Sequence, residues 1–196
     1  RFLLTQASKL TELHLNIDSC PQIDQQCFSI LAQLFSKRHT LKRLKLELGR
    51  FDNESLFIIM DSVKEIKGLE YLNLVISFFS TVSSPGIKLM RDCITAMLNL
   101  KEIELTFWAG DEIDDEGIKW LSEGIAQANK LETFNLDISS CKLSKNGLQA
   151  LTEALNNSKS LNKMNLVIRG NISIHKAELK EFQASYVTKK LYIGLY

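Results

Sequence analysis

Nucleophiles, bases and metal ligands are spread thinly along this sequence. The three histidines, His14, His39 and His175, stand far apart, and there is no H-E-x-x-H, G-x-S-x-G or G-x-x-x-x-G-K-[ST] pattern. Those patterns mark zinc proteases, serine hydrolases and phosphate-binding loops. We therefore expect no enzyme activity, no cofactor and no small-molecule substrate. His14 is interpreted as an ordinary surface histidine.

The cysteines suggest neither a zinc site nor a disulfide framework. Cys20, Cys27, Cys93 and Cys141 form no C-x-x-C pair and do not have the spacing of a zinc site. The repeat described below places Cys20 and Cys141 four units apart, beyond disulfide reach at about 4.8 Å per strand. We expect four reduced cysteines in a core, as is typical of an intracellular, cytoplasmic protein.

One acidic run has the composition of a cation site but not its order. Residues 111–116 read Asp-Glu-Ile-Asp-Asp-Glu, without the alternating D-x-D-x-D-G order of a calcium loop. The run precedes a predicted helix, whose N-terminus favours negative charge. We interpret it as a solvated helix start, and we expect no metal site.

Composition makes nucleic acid and membrane poor first guesses for the partner. The chain has 196 residues, 45% of them hydrophobic, with 24 Lys+Arg against 23 Asp+Glu, and no run of like charge suggests binding to nucleic acid or to an anionic membrane. No apolar stretch approaches the roughly 20 residues that span a bilayer.

The chain opens at Arg1 without a visible secretory leader. Its length falls in the range of one domain.

The elements that would position any functional side chain follow from an internal repeat. The pattern apolar-x-x-apolar-x-apolar-x-apolar begins at residues 10, 41, 69, 100, 131 and 161, with a weaker copy at 188, so the steps are 31, 28, 31, 31, 30 and 27 residues. The last three apolar positions of each copy alternate with period two, as in a strand that shows one face to a core.

Between the strands the apolar spacing changes to that of a helix. Apolar residues three and four apart form one stripe in each unit, for example Ile118, Leu121 and Ile125, and this spacing predicts an amphipathic helix. Gly86, Gly117 and Gly147 recur just before the stripe. We interpret them as residues that let the loop bend into the helix, because glycine lacks a Cβ atom.

The chain resembles the leucine-rich-repeat family, whose pattern L-x-x-L-x-L-x-x-N/C-x-L runs from strand into loop. The period looks most like the ribonuclease-inhibitor-like subclass. The resemblance implies an α/β solenoid of about six to seven repeats, with parallel strands on a concave face and helices on a convex face. In the family an Asn or Cys side chain bonds buried loop backbone. The matching positions here are Cys20, Phe51, Phe79, Gly110, Cys141 and Asn171. The phenylalanines predict irregular loops.

The whole chain, residues 1–196, is predicted to form a single solenoid domain. Leu4 matches the final helix position of an earlier unit, so we expect a fragment of a longer array that begins inside a helix. The last unit loses the helical spacing at His175. Because terminal repeats are often atypical, residues 172–196 are predicted to cap the stack.

Side chains between the apolar strand positions should form columns on the concave sheet. Their types are mixed in charge and include the Tyr, Trp and Arg residues enriched at binding hot spots. The predicted partner-binding residues are Arg43, Lys45, Tyr71, Asn73, Glu104, Trp108 and Arg169, with Phe78 in the loop of residues 77–85. The alternative is that these are solvated strand residues, or packed ones in the case of Phe78, and that contacts lie on helices or loops.

A protein-interaction scaffold with a protein partner is therefore the predicted function. Similar repeat arrays include the ribonuclease inhibitor and the activating protein of the small GTPase Ran, so a regulator of a small GTPase or another enzyme is a second hypothesis; Arg50 would be the residue to test for it. A structural spacer in a large assembly is the third. Fold alone does not decide among them.

Overall fold

The computed structural model describes residues 9–18, 20, 23–36, 40–49, 52–76, 80–107, 112–171, 173–185 and 190–194. Strands and helices alternate through all of these residues. The strands are β1 (Glu12–Asn16), β2 (Arg43–Leu48), β3 (Tyr71–Ile76), β4 (Glu102–Phe107), β5 (Thr133–Asp137), β6 (Lys163–Val167) and β7 (Lys190–Gly194). The helices are α1 (Gln25–Phe35), α2 (Asn53–Val63), α3 (Ser84–Ala96), α4 (Asp115–Gln127), α5 (Lys145–Asn157) and α6 (Lys176–Ala184).

The strands form one parallel sheet in sequence order, β1 to β7. Glu12 pairs with Arg43, Arg43 with Tyr71, and Tyr71 with Glu102. The register continues from Glu102 to Thr133 and on to Lys163. This is the alignment that the repeat predicts, and the chain is an α/β repeat solenoid.

The core lies between the sheet and the helices. Leu44, Leu46 and Leu48 of β2 are fully buried, and the corresponding residues of β3 to β5 are buried as well. The predicted helix stripes face them, for example Ile118, Leu121 and Ile125. Each fully buried Leu or Ile side chain contributes about 1.5–3 kcal/mol to folding. The hydrophobic core is therefore continuous from unit to unit.

The two layers have different natural spacings. Neighbouring strands lie about 4.8 Å apart, whereas packed helices need about 8–10 Å. A stack with one strand and one helix per unit must therefore curve, with the sheet on the inner side. This places the outward side chains of the sheet on the concave surface.

Most helices begin at a polar capping residue. The Asp24 Oδ1 atom accepts a hydrogen bond from the Cys27 backbone N–H, and Asp52 accepts one from Ser55. Asp114 accepts from both Glu116 and Gly117, which confirms that the acidic run starts a helix. Such caps stabilise a helix by about 0.5–2 kcal/mol.

A hydrogen-bonded ladder joins the helix starts of successive units. Asn53 is the first residue of α2, and its amide bonds the backbone N–H and the hydroxyl of Ser83, the cap of α3. The Ser84 hydroxyl donates to Asp114 Oδ1, the cap of α4, over 2.6 Å. Asp115 accepts from the backbone N–H and the hydroxyl of Ser144, the cap of α5. In each case the first residue of one helix holds the cap of the next.

This ladder explains the recurring glycines and corrects their predicted role. Gly86, Gly117 and Gly147 lie inside the first helical turn, not in the preceding loop. A Cβ atom at Gly86 would lie 2.2 Å from the Asn53 Oδ1 atom, and one at Gly147 would lie 2.6 Å from the Asp115 Oδ1 atom. The ladder side chain of the preceding unit therefore occupies the space that a larger residue would need, and at Gly147 the Leu143 Cδ1 atom of the same unit lies even closer, at 2.1 Å.

The family pattern places an Asn or Cys side chain in the loop after each strand, and we call the matching positions of this chain the loop column. At two of the three described positions, the side chain bonds buried backbone as the pattern implies. The buried Asn171 amide donates to the backbone carbonyls of Ile138 and Ile168 and accepts from the Leu143 N–H. Cys141 is buried with Sγ 4.0 Å from the Phe107 carbonyl oxygen. Cys20, by contrast, is exposed.

The expectation that all four cysteines are core residues is therefore wrong. Cys93 and Cys141 are buried, Cys27 is half-buried and Cys20 is exposed. The loop that carries Cys20 has no described unit packed on its outer side, and the side chain faces solvent. Phe51, Phe79 and Gly110, the other members of the column, lie outside the described residues.

The last unit keeps the plan of strand and helix in a shortened form. Helix α6 has nine residues and follows His175, and β7 extends the sheet in register with β6. The predicted cap at residues 172–196 stays a prediction, and Leu4 lies outside the described residues. None of the helices in the described part of the chain is long and apolar enough to cross a membrane.

Candidate functional site

The concave surface carries three columns of outward side chains, which together we call the open face. They stand at alternate strand positions, between the buried ones. The first column is Glu12, Arg43, Tyr71, Glu102, Thr133 and Lys163. The second is His14, Lys45, Asn73, Glu104, Asn135 and Asn165; the third is Asn16, Glu47, Val75, Thr106, Asp137 and Val167.

On β1 and β2 the charges of the open face neutralise one another. Lys45 Nζ donates to Glu47 Oε1 over 2.7 Å, and the same carboxylate contacts His14 Nε2 at 3.0 Å and Asn16 Nδ2 at 2.5 Å. The hydrogen bond from Lys45 lowers the pKa of Glu47, and the bond to Glu47 raises the pKa of Lys45. Both groups are therefore held in their charged forms.

Arg43 and Tyr71 form a cation–π pair beside this cluster. The Arg43 guanidinium carbon lies 3.9 Å from the centroid of the Tyr71 ring, and Arg43 Nε lies 3.8 Å from Glu12 Oε1. Burial raises the pKa of Tyr71, so its hydroxyl stays protonated at neutral pH. A cation–π pair at a surface contributes about 0.5–1 kcal/mol. The Tyr71 ring therefore has contacts with both Arg43 and the Asn73 amide, which donates to its hydroxyl oxygen over 3.3 Å.

A chain of amide and carboxylate groups runs across the middle of the open face. Asn73 Nδ2 donates to Glu104 Oε2 over 2.5 Å, and Asn135 Nδ2 donates to Glu104 Oε1 over 3.1 Å. Asn165 Nδ2 in turn donates to the Asn135 Oδ1 atom. Glu104 thus links strands β3, β4 and β5 through its two oxygens. The four side chains are fixed before any partner arrives.

The carboxylates of β4 and β5 make the centre of the face acidic, and the cation Lys45 interacts with Glu104 only at a distance. Glu102, Glu104 and Asp137 form no ion pair with any residue that the structure describes, unlike Glu12 and Glu47 on the first two strands. Asp137 accepts only the backbone N–H and hydroxyl of Ser139. Amide and hydroxyl donors orient these carboxylates but leave their charge in place.

The structure brings five of the predicted partner-binding residues together on the open face. Arg43, Lys45, Tyr71, Asn73 and Glu104 occupy adjacent positions on β2, β3 and β4. Arg169 is exposed just after β6, apart from this group. Trp108 and Phe78 lie outside the described residues, as does Arg50. Their predicted roles stay predictions.

The prediction left out Glu102, Glu47, Asn135 and Asp137, although all four were in the predicted columns. For Asn135 the missed signal was the alternation of amides and carboxylates along the second column. Asn73, Glu104 and Asn135 succeed one another at equivalent positions, and their side chains bond one another across the strands.

Comparison with known proteins supports the fold. No protein-family model matches the chain, and no curated protein matches its sequence. Chains of solved structures do match, 70 in number. One, described as leiomodin-1 actin-binding site 2, aligns with 80% of this chain and 84% of its own length, with a TM-score of 0.58 and 14% sequence identity. That similarity shows a shared fold.

A second solved structure is described as a TLR13 complex with ssRNA13. It aligns with 98% of this chain and 34% of its own length, with a TM-score of 0.32 and 11% sequence identity. A TM-score at this level carries no structural argument.

Proposed function

We propose that the chain is a leucine-rich-repeat solenoid, ribonuclease-inhibitor-like in its repeat length, whose open face binds a protein partner. Six copies of the strand pattern and their sequential parallel register support the repeat family. The acidic residues Glu102 and Glu104 at the centre of the open face, with the Arg43–Tyr71 pair beside them, carry the functional proposal.

The arrangement of the open face suits a protein better than a small molecule or a polyanion. The surface extends over six strands, an area that suits the broad contact of a protein partner. Its centre is acidic at Glu102 and Glu104, which repels phosphate groups and favours Lys or Arg side chains. Tyr71, fixed by Arg43, supplies a rigid aromatic contact beside the acidic centre.

The hydrogen-bonded arrangement of side chains on the open face is a second observation that supports the binding of a partner. The chain of side chains from Asn73 to Asn165 fixes rotamers that an ordinary solvated strand surface would leave free. Ordering a side chain at an interface costs about 0.5–1.5 kcal/mol. A partner that binds this face avoids part of that cost. No step of chemical catalysis is proposed.

Affinity capture from the native source tests the proposal. The whole chain is immobilised as wild type, as Tyr71→Ala with Glu104→Lys, and as a matched control with Lys119→Ala and Gln149→Ala on exposed helix positions. We expect a reproducible partner that the control retains and the open-face variant loses, because a truncated aromatic hot spot alone costs about 2 kcal/mol or more.

Two results would contradict the proposal. Equal capture by wild type and the open-face variant would move the site to the helices or loops. Absence of any captured protein in repeated experiments would favour a structural spacer.

A further inference from the structure

The turn between α3 and β4 presents an apolar side chain where other units present polar ones. Leu98 precedes its strand motif by two residues, and it is 72% exposed, the most exposed large apolar side chain in the described part of the chain. The equivalent residues are Lys67, Asn129 and Lys159, all exposed. This position is the solvent tip of each turn, so Leu98 is a local exception to the repeat.

Leu98 borders a cavity between two successive turns, which we call the Leu98 groove. Its volume is about 160 Å³. Its apolar wall is formed by Ile66, Leu69, Ala96, Met97 and Leu98. Its polar rim is formed by Lys64, Lys67 and Asn99. A groove with this lining can take one apolar side chain while charged groups remain at its edge.

Hydrogen bonds hold the rim of the groove in place. Asn99 Nδ2 donates to the Lys67 carbonyl oxygen over 2.8 Å, and Lys130 Nζ donates to the Asn99 Oδ1 atom over 2.8 Å. Asn99 therefore ties its own turn to the turns on both sides. The groove is formed before a ligand enters it, which lowers the entropic cost of binding.

The surroundings of the groove carry a small excess of positive charge. Five lysines lie along this edge of the solenoid, and four carboxylates compensate them in part, one of which is Glu132, whose charge acts on Lys101. The pairs are Lys64 with Asp61, Lys67 with Glu65, and Lys42 and Lys101 with the shared Glu70. Lys130 forms no ion pair with a described residue and donates to Asn99 instead. Exposed ion pairs of this kind contribute little to stability, so an incoming carboxylate can replace one partner.

We propose that the Leu98 groove is a second docking site, separate from the open face, for a short protein segment that carries an apolar side chain next to Asp or Glu residues. The apolar side chain enters the groove against Met97 and Leu98. The carboxylates meet Lys67 at the rim and Lys130, which is bonded to the rim residue Asn99. A lipid bilayer fits less well, because a single apolar tip and a narrow groove offer one side-chain contact and not a flat apolar surface.

A selection from a random-peptide library displayed on phage tests the site without knowledge of the natural partner. The whole chain is the target, and the Leu98→Ser variant is the counter-target. We expect enriched peptides to share an apolar residue flanked by Asp or Glu. Fluorescence anisotropy then gives the affinity of an enriched peptide for wild type and variants. We expect a loss of about tenfold or more for Leu98→Ser, as for one apolar side chain exposed again to water.

Charge and position are controlled separately. Lys67→Glu with Lys130→Glu should weaken the same peptide about tenfold or more through charge reversal at the rim. The matched control, Leu89→Ser with Lys119→Glu, changes an exposed leucine and an exposed lysine on the helices, and it should bind as wild type does. Circular dichroism checks that every variant is folded.

Several results would overturn the proposal. Enriched peptides without acidic residues, or equal binding to the Leu98→Ser variant, would exclude an acidic-apolar ligand in this groove. Leu98-dependent binding to vesicles that contain phosphatidylserine would identify a membrane as the occupant instead. Self-association that is lost in Leu98→Ser, measured by analytical ultracentrifugation, would identify a second copy of the chain.

Discussion

A Cβ atom at Gly117 would lie 2.5 Å from the Oγ atom of Ser84, a residue of the preceding unit. The same hydroxyl donates to the Asp114 carboxylate, which caps the helix that contains Gly117. One serine therefore fixes both the start of the next helix and the size of a residue in its first turn. Interfaces between units depend on polar contacts of this kind as well as on the apolar core.

Gly117→Ala should destabilise the protein although alanine favours helices. The higher helix propensity of alanine contributes about 1 kcal/mol in favour of the variant, but overpacking against Ser84 costs about 1–3 kcal/mol. We expect a net loss in the free energy of unfolding, measured by urea denaturation. In the Ser84→Ala background the penalty should shrink, because the nearest atom has been removed. Equal penalties in both backgrounds would contradict this packing.

Asn171→Ala should destabilise the fold more than the loss of a surface amide does. Asn171 is 6% exposed and bonds three backbone groups of the loops, and a buried polar group left unpaired costs about 1–3 kcal/mol. Asn165→Ala on the open face is the control, with an expected loss of at most about 1 kcal/mol. Thermal unfolding followed by circular dichroism compares the two. Similar losses in the two variants would show that the hydrogen bonds of Asn171 to the loop backbone contribute little to stability.

Stability should fall in acid partly through Asp114. The hydrogen bond from Ser84 lowers the pKa of Asp114 in the folded state. A depressed pKa contributes stability above the unfolded value of about 3.9, and this contribution is lost as the pH falls through the folded pKa. Asp114→Asn should therefore show a flatter dependence of the unfolding free energy on pH below about 5. An unchanged slope in Asp114→Asn would contradict this contribution.

The four cysteines should differ widely in reactivity. Burial raises the pKa of Cys93 to about 11, and thiolates rather than thiols react with alkylating agents. Cys93 and Cys141 should resist iodoacetamide in the native state and react in urea, whereas the exposed Cys20 should react first. Mass spectrometry of peptides after a timed pulse measures the order. Fast native labelling of Cys93 would contradict its buried position.

The strand register could be predicted from the sequence because it repeats. Leu44, Leu72 and Ile103 occupy the same place in successive copies of one pattern, and the side chains between them had to share a column. The helix stripes followed for the same reason. The order of apolar and polar residues directly indicates which positions are buried.

The details that escaped prediction depend on contacts between units. Gly86 is small because Asn53 of the preceding unit reaches it, and no local pattern around Gly86 contains that information. Glu104 bonds to two neighbouring strands at once. Leu98 could not be predicted from the repeat, because the pattern specifies only the apolar positions and Leu98 is an apolar residue at a polar one.

The ladder of helix starts has a direction. Asn53, Ser84 and Asp115 each belong to the unit that precedes the cap they bond, so during translation each leaves the ribosome before the residue that needs it. A newly synthesised unit therefore packs on a preceding unit that is already folded, and that unit supplies the side chain that hydrogen-bonds its helix cap. The stack can grow by addition at its C-terminal end, in the order in which the chain is synthesised.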